Sequence, residues 1–545
     1  MSKLHLRPVA AIFAALGYLV CSNALAAPNQ TDQCKMCHAK EVENHQSAVH
    51  KGIPCASCHT GVKEHVTNMA TRPGTNMDPK LCGICHQDQY KSAFLTSDRP
   101  ARQSKKAANG PAPDPFFDRA LGGHGFTKEH DLPRAHTWMA IDQFIVDRAF
   151  GGRFEPKDGW LYTTLEGGKS YKVWDVLKDN YPEHNTQKAH RPGTAAAANG
   201  VCWSCKSTDL MLDWAFMGDN VEGATFHRGS NPVDVVRKVE HGLNCNFCHD
   251  PHNAKPRVMR DALIEAMERD DKYNVYKNAT NPTKLDVQKV GARGFERKVA
   301  YMDKADSRLM CAQCHVEYVC NPGMNVKTGE KVGFNSRMTN TFPWVNAYEI
   351  ENYYEDVGFR DFKHNLTGAT LVKMQHPDTE TYFGSVHDKA GADCASCHMP
   401  KVTNEKGKTY TLHWATSPKH YVKETCLTCH TDKNEKQMVT AIDAMKGHFD
   451  GKVREAEARM NDMFNAFELA IANGVDEEVL KQARKLHESA HINWEYWTAA
   501  NGAYFHNHQM AVDSLAKSAK AASDATALLR KAIAEKAAAK KVAQK

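Results

Sequence analysis

The sequence has no excess of charge of one sign. Its 545 residues carry 70 Lys and Arg against 64 Asp and Glu, a formal net charge of +6, and both signs are dispersed along the chain. Domains that bind nucleic acid concentrate basic residues on one surface, so this balance indicates no nucleic-acid partner. Hydrophobic residues make up 41% of the chain, which is enough to build a core and excludes a wholly disordered protein.

Long apolar runs are also scarce. One spans residues 9–20, after Lys3 and Arg7 and before the small residues that end at Ala26. This arrangement predicts a secretory signal peptide over residues 1–26; an uncleaved membrane anchor is the alternative, although the run is short for a membrane span. The mature chain is therefore expected to be exported, and Cys21 is lost with the signal peptide.

Cysteine and histidine, by contrast, are abundant, with 18 and 29 residues. Sixteen of the 17 cysteines outside the predicted signal peptide form eight C-x-x-C pairs, and His directly follows seven of them. Two thiols at this spacing form thioethers to a porphyrin and the next His ligates its iron, so the pattern predicts seven c-type haems. Zinc ribbons, the alternative, do not require a His after every pair. The predicted attachment residues are Cys34, Cys37 and His38; Cys55, Cys58 and His59; Cys82, Cys85 and His86; Cys245, Cys248 and His249; Cys311, Cys314 and His315; Cys394, Cys397 and His398; and Cys426, Cys429 and His430.

The eighth pair differs in its last residue. Cys202-Trp-Ser-Cys205 is followed by Lys206 rather than His. Either the motif is degenerate, or it binds a haem whose proximal ligand is an amine that the iron and burial keep neutral. One unusual site among seven conventional ones suggests one haem for chemistry and seven for electron transfer.

At this point the chain resembles the cytochrome c nitrite reductases, in which a C-x-x-C-K motif binds the catalytic haem. The resemblance runs from about residue 122 to 507, and the three additional motifs before it are similar to the octahaem branch. It implies eight c-type haems and a periplasmic enzyme that reduces nitrite to ammonium, with hydroxylamine as a further substrate and sulfite as a side activity. The segments that carry it are RAHTWMAIDQFIVDRAFGG, CWSCK, CAQCHVEY, KMQHPDTE, CASCHMPKVTNEKGKTYTLHW and NGAYFHN.

The same resemblance implies a pocket above the Lys206 haem made by Arg148, Tyr318 and His376. Arg148 would attract and orient the anion, because a guanidinium stays charged. His376 would donate protons, with an ordinary pKa near the working pH. Tyr318 would donate a hydrogen bond or stabilise a radical-like intermediate.

Two further features follow from the resemblance. A calcium ion would be held by the Glu317 carboxylate, the Gln375 side-chain oxygen and the backbone carbonyls of Tyr318 and Lys373, all oxygen donors of the kind calcium prefers. Cys320 is the one cysteine left over, and a thioether between Cys320 and Tyr318 is expected to make the phenol easier to oxidise.

Haems that only transfer electrons need a second axial ligand. Family positions support His136, His387, His413 and His506 for this role. For the three additional haems the candidates are His50, His241, and His124 or His130, while His45, His65 and His252 remain open.

The predicted fold class is mainly α: a multihaem cytochrome c with few strands, a haem-packed core and long C-terminal helices. Residues 27–121 would form a three-haem extension with a linker, residues 122–432 the catalytic five-haem body, and residues 433–545 the long helices, which suggest a homo-oligomer. The donor would be a periplasmic or membrane protein. The alternatives are an octahaem hydroxylamine oxidoreductase or tetrathionate reductase, which Lys206 argues against, and a non-catalytic multihaem electron carrier.

Overall fold

The computed structural model describes residues 29–94, 119–120, 146–148, 154–156, 200–230, 235, 238, 240–277, 279, 282–290 and 295–544. For residues 29–31, 146–148, 154–156 and Cys202 the description covers the backbone alone. The predicted signal peptide and the predicted ligands His124, His130 and His136 lie outside the described residues.

Helices dominate the described chain, and those before residue 400 are short. They are α1 (Asn29–Lys35), α2 (Ala39–Ser47), α3 (Val62–Thr67), α4 (Pro79–Gly83), α5 (Gln87–Phe94), α6 (Gly200–Trp203), α7 (Thr208–Leu212), α8 (Cys245–Cys248), α9 (Asp261–Glu268), α10 (Ser307–Ala312), α11 (Ile350–Val357), α12 (Asp378–Tyr382), α13 (Val386–Lys389) and α14 (Cys394–His398). Four more follow: α15 (Glu435–Ala472), α16 (Glu477–Ala499), α17 (Ala503–His506) and α18 (His508–Ala543).

Strands are few and short, and they pair antiparallel in small local sheets. The strands are β1 (His59–Thr60), β2 (Gly74–Thr75), β3 (Val146–Arg148), β4 (Phe154–Pro156), β5 (Arg257–Val258), β6 (Asp286–Val290), β7 (Arg297–Tyr301), β8 (Gly323–Asn325), β9 (Lys331–Val332), β10 (Phe359–Arg360), β11 (Phe362–Lys363), β12 (Thr370–Leu371), β13 (Lys401–Thr403) and β14 (Thr409–Thr411). The largest described sheets have three strands, in the orders β5-β7-β6 and β10-β8-β9.

The long helices α15, α16 and α18 pack together. A capping box between Asn434 and Gln437 starts α15, and Gly474, at φ +67°, follows its end. The side chains of Asn434 and Gln437 each accept a backbone N–H that has no partner within the helix, so α15 begins at this point. Fully buried Phe464, Trp494 and Trp497 form part of the shared core.

The expected fold class is confirmed: the protein is mainly α, with short strands and long C-terminal helices. A search of the described residues finds no helix with the length and apolarity of a membrane span. The N-terminal haem-motif region contacts the body directly, since the Asn244 amide donates to the Met77 carbonyl at 3.3 Å and His413 N donates to Ser92 Oγ at 3.0 Å.

Candidate active site and haem-binding motifs

Short polar side chains position several of the Cys-x-x-Cys motifs. Asp78, Asn244, Asp306 and Asp393 each accept a backbone N–H at the start of the helix that carries, or leads into, a motif. An N-cap of this kind stabilises the first turn of a helix that is too short to be stable alone. The two thiols of a pair are thus presented from one locally fixed turn.

The Lys206 motif and the His315 motif contact each other directly. Cys205 is buried, and its Sγ lies 3.7 Å from the carbonyl oxygen of Gln313. In return, Cys314 Sγ lies 3.6 Å from the carbonyl oxygen of Cys205. The attachment sites of two predicted haems therefore share one buried junction.

The segments that carry Tyr318 and His376 run side by side next to this junction. The Glu317 carboxylate accepts the Gln375 backbone N–H at 2.7 Å, and Thr379 N donates to the His315 carbonyl at 3.1 Å. Tyr318 is buried against Phe342, with ring centroids 6.1 Å apart. Arg148 ends β3 and pairs with Phe154 of β4; its side chain is outside the description.

His376 differs from the expectation of a ring that titrates near the working pH. The surrounding protein desolvates the ring, and nearby His315 and Lys206 add repulsion, which together lower the pKa of His376 to about 3. Neutral imidazole is therefore its resting form at neutral pH. A neutral ring still carries one N–H donor and one acceptor nitrogen.

Asp378 orients the proximal histidine of the neighbouring motif, a role the sequence did not reveal. Its Oδ2 lies 2.8 Å from His315 Nδ1, which leaves the other ring nitrogen for a metal. The available signal was its place in the KMQHPDTE segment, two residues after His376.

The predicted calcium donors lie together in a buried polar site. Glu317, Lys373 and Gln375 are buried, and the Glu317 carboxylate also accepts the Tyr354 hydroxyl at 3.4 Å. Burial, with Glu380 nearby, raises the pKa of Glu317 well above its usual range. Within the described chain, Gln375 Oε1 is buried without a hydrogen-bond partner. A buried carboxylate beside an orphaned amide oxygen fits a hard cation. No cluster of three or more His, Cys, Asp or Glu in the described chain could hold a metal, so the fit depends on amide and carbonyl oxygens.

Cys320 is buried near the same donors. Gln375 Nε2 donates to Cys320 Sγ at 3.3 Å, so the amide nitrogen of this predicted calcium ligand is paired while its oxygen is not. The thiol and the Tyr318 phenol belong to one buried segment of three residues.

Five predicted proximal histidines each face a second histidine at nearly the same distance. A metal–imidazole bond is about 2 Å and the ring centre lies about 1 Å further, so two imidazoles on opposite sides of one iron have centroids about 6 Å apart. The described cysteines of the motifs also carry no disulfides. These residues therefore fit haems with two His ligands. The pairs are His38–His65 at 6.1 Å, His86–His50 at 6.3 Å, His59–His252 at 6.0 Å, His430–His387 at 6.4 Å and His398–His506 at 6.3 Å.

A family profile described as Cytochrome c552 matches residues 159–545. The chain belongs to the cytochrome c552 family. This membership supports covalently bound haem c, in agreement with the motifs.

Curated relatives of this cytochrome c552 family member include cytochrome c-552 of Parabacteroides distasonis, 29% identical over 57% of this chain and 54% of the relative. The cytochrome c nitrite reductase subunit NrfA of Nitratidesulfovibrio vulgaris is 27% identical over 64% and 62%, and cytochrome c-552 of Haemophilus influenzae is 26% identical over 74% and 65%. The chain thus spans less than two thirds of the length of these relatives.

A solved cytochrome c nitrite reductase from Desulfovibrio desulfuricans, described with two calcium sites in its catalytic subunit NrfA, has a similar fold. The TM-score is 0.52 at 21% identity, over 76% of this chain and 75% of the other. At 21% identity, this similarity shows only that the two chains share a fold.

The histidine pairs include three of the predicted distal ligands of this cytochrome c552, namely His50, His387 and His506. His65 and His252, which the sequence left open, occupy the other two pairs. His413 lies near His249. Burial, followed by charge repulsion from His413, lowers the pKa of His249 to about 4. His241 instead places Nδ1 3.1 Å from the Asp209 carboxylate, so its role as a ligand stays a prediction.

Proposed function

We propose that this chain is an octahaem cytochrome c nitrite reductase that reduces nitrite to ammonium in the periplasm. The observation that carries the proposal is the replacement of His by Lys206 in one of eight Cys pairs, at the junction next to the Tyr318 and His376 segments. A lysine ligand marks one haem as different from seven His-ligated haems. Hydroxylamine is a second substrate, and sulfite, also a six-electron acceptor, is a side substrate.

The chain's own residues hold the cofactors. Cys202, Cys205 and Lys206 hold the catalytic haem, and the seven remaining motifs hold haems for electron transfer. Haem, when bound here, supplies iron that takes up electrons and has an open position for nitrite. The seven other motifs would each hold a haem through the histidine that follows the cysteines and through a second histidine, and would leave no such position.

The pocket residues bind and protonate the substrate. Arg148 attracts the nitrite anion with a permanent positive charge. His376, neutral at rest, donates its N–H to a substrate oxygen. It also relays the protons with which the nitrite oxygens leave as water. The buried Tyr318 phenol donates a further hydrogen bond from a side shielded by Phe342.

Calcium is proposed to fix this pocket. Its donors are the carboxylate of Glu317, the side-chain oxygen of Gln375, and the carbonyls of Tyr318 and Lys373. These residues stand next to, or coincide with, the pocket side chains Tyr318 and His376, so the ion would hold both in place.

The experiment that tests the proposal compares purified wild type with His376→Ala and Arg148→Ala. Both variants should keep eight haems but lose nitrite turnover by about 10²–10³-fold, as expected when a donor to developing charge is removed. The control is His448→Ala, which removes an exposed histidine of α15 and should keep full turnover. Near-full activity of either pocket variant with all haems attached would overturn the assigned roles.

The non-catalytic alternative makes a different spectroscopic prediction. An electron carrier with eight saturated haems has no high-spin ferric iron, whereas the proposed enzyme has one such haem that responds to nitrite. A ferric spectrum without any high-spin component would favour the carrier. The electron donor is proposed to be a reduced periplasmic or membrane protein, and the long C-terminal helices are proposed to join subunits in a homo-oligomer.

A further inference from the structure

Arg260 is a fully buried cation, and the groups that its guanidinium contacts directly are neutral. Its Nη2 donates to Asn340 Oδ1 at 3.1 Å, and Nη1 lies 3.9 Å from Met211 Sδ. The guanidinium carbon lies 5.3 Å from the Phe342 ring centroid. Across the described residues, Arg260 Nε has no hydrogen-bond partner and no carboxylate lies within 4 Å of the guanidinium.

Three other buried arginines of the protein are neutralised by ion pairs. Arg228 bonds Asp219 at 2.5 Å, Arg257 bonds Asp250 at 2.9 Å, and Arg308 bonds Asp306 at 2.9 Å. Burying a charge without a counter-charge is costly, and such positions cluster at functional sites. The difference makes Arg260 a candidate for an electrostatic role.

The position of Arg260 links it to the two adjoining haem motifs. Its backbone N–H donates to Gln313 Oε1 at 3.3 Å, and Gln313 precedes Cys314 in the chain. The carbonyl of the same Gln313 contacts Cys205 Sγ at 3.7 Å. Phe342, which packs under the guanidinium, also contacts Tyr318. Arg260 therefore lies at the junction of the Lys206 motif, the His315 motif and the pocket.

The neighbouring charges leave this cation only partly compensated. Asp261 follows Arg260, interacts with both Arg260 and Arg297, and accepts the Met217 N–H at 3.2 Å. Burial raises the pKa of Asp261 to about 7, so the carboxyl is partly protonated at neutral pH. When one electron from a donor converts a ferric haem to ferrous, the haem gains one negative charge. A nearby buried cation stabilises that charge more strongly than one in water would.

We propose that Arg260 is a positioning residue that raises the reduction potential of the Lys206 haem and so draws electrons from the His-ligated haems to the catalytic site. This inference depends on the proposed haem attachment at Cys205. The guanidinium acts through its charge, and the contacts to Asn340 and Phe342 hold it in place.

The test is a redox titration of the holoprotein with dithionite as reductant, followed by the high-spin ferric signal of the Lys206 haem. Arg260→Gln should lower the midpoint so that the ratio of ferrous to ferric haem at a fixed potential falls at least tenfold, or 59 mV for one electron. Arg260→Lys keeps the charge and should stay within threefold of wild type. Phe342→Leu disturbs the packing around the guanidinium but keeps its charge, so the ratio should again stay within threefold of wild type. An unchanged midpoint in Arg260→Gln, or an equal shift in all three variants, would overturn the proposal.

A second variant keeps the test decisive if Arg260→Gln fails to fold. Asn340→Asp places a carboxylate 3.1 Å from Nη2 without removing the arginine, and it should lower the midpoint in the same direction. An unchanged or raised midpoint with Asn340→Asp would overturn the proposal. Haem content and the high-spin signal of wild type are measured first: their absence would refute the proposed function, whereas their presence with unshifted variants would refute the role of Arg260 alone.

Discussion

Tyr318 and Cys320 stand two residues apart, and both side chains are buried. The expected thioether replaces the Cys320 S–H and one Tyr318 ring C–H bond by an S–C bond, with two protons released and two electrons passed to ferric haems. The peptide that spans both residues should then be about two daltons lighter than its unmodified mass. Mass spectrometry of the digested holoprotein checks this, with Cys320→Ser as the control that cannot form the bond. An unmodified wild-type peptide would contradict the crosslink.

Asp219 joins two arginines at the edge of the core. Burial alone would raise the pKa of Asp219, but hydrogen bonds from Arg337 and Arg228 outweigh it and lower the pKa overall. Asp219→Asn leaves the buried Arg228 without its counter-charge, so we expect a loss of about 1–2 kcal/mol, less than for a fully buried pair because Asp219 is partly exposed. Thermal unfolding at pH 7 measures the loss.

The pH dependence of this loss has a definite sign. A carboxyl with a lowered pKa stabilises the fold above its unfolded pKa of about 4, and the contribution disappears as the pH falls through the lower folded value. The difference between wild type and Asp219→Asn should therefore shrink below about pH 4. Asp432→Asn, which removes an exposed carboxylate paired with Lys433, should leave the thermal unfolding unchanged both at pH 7 and below about pH 4. A difference that persists at low pH would contradict the ion-pair account.

At the scale of elements, α18 packs its small residues against α15 and α16. Ala522 and Ala525 are fully buried on this face, whereas Ala538 of the same helix is exposed. Ala522→Leu should lower stability by about 1–3 kcal/mol because a filled core cannot accept the extra volume. Ala538→Leu should be neutral. Thermal unfolding checks both, and equal melting temperatures would show that α18 does not pack as described.

The elements differ in how far sequence could predict them. The C-terminal helices follow from helix-forming composition, apolar residues such as Phe464 at helical spacing, and the stop at Asn473-Gly474. The short strands of the body were not predictable, because two- to five-residue pairings depend on neighbours distant in the chain. The attachment residues can be predicted from the sequence because thioether chemistry fixes their spacing, and their number stays a prediction.

The distal ligands show how little spacing along the chain reveals. His241 is predicted because it is close to Cys245 in the chain, and its role as a ligand stays a prediction, since the contact of its Nδ1 with Asp209 leaves the other ring nitrogen available. His252 lies far along the chain from His59 but has its ring 6.0 Å away. Chain proximity does not report a contact made across the fold, so spacing alone could not select between these histidines.

At the scale of the whole molecule, the histidine pairs predict which haems change spin state. His65→Ala or His252→Ala should remove one axial ligand and add one high-spin ferric haem per chain, with the number of attached haems unchanged. His448→Ala, which removes an exposed histidine of α15, should add none. Electron paramagnetic resonance with haem quantification distinguishes these outcomes. No added high-spin haem in His65→Ala or His252→Ala would contradict the assignment.

One Lys-ligated haem among eight is proposed to reduce nitrite fully to ammonium. This activity is tested by measuring the ammonium formed and the reductant consumed per nitrite, with purified holoprotein whose haem count is known from intact mass. We expect eight haems, one ammonium per nitrite and six electrons consumed for each. Eight attached haems with nitrite left unreduced, or reduced only to a product short of ammonium, would contradict this proposal.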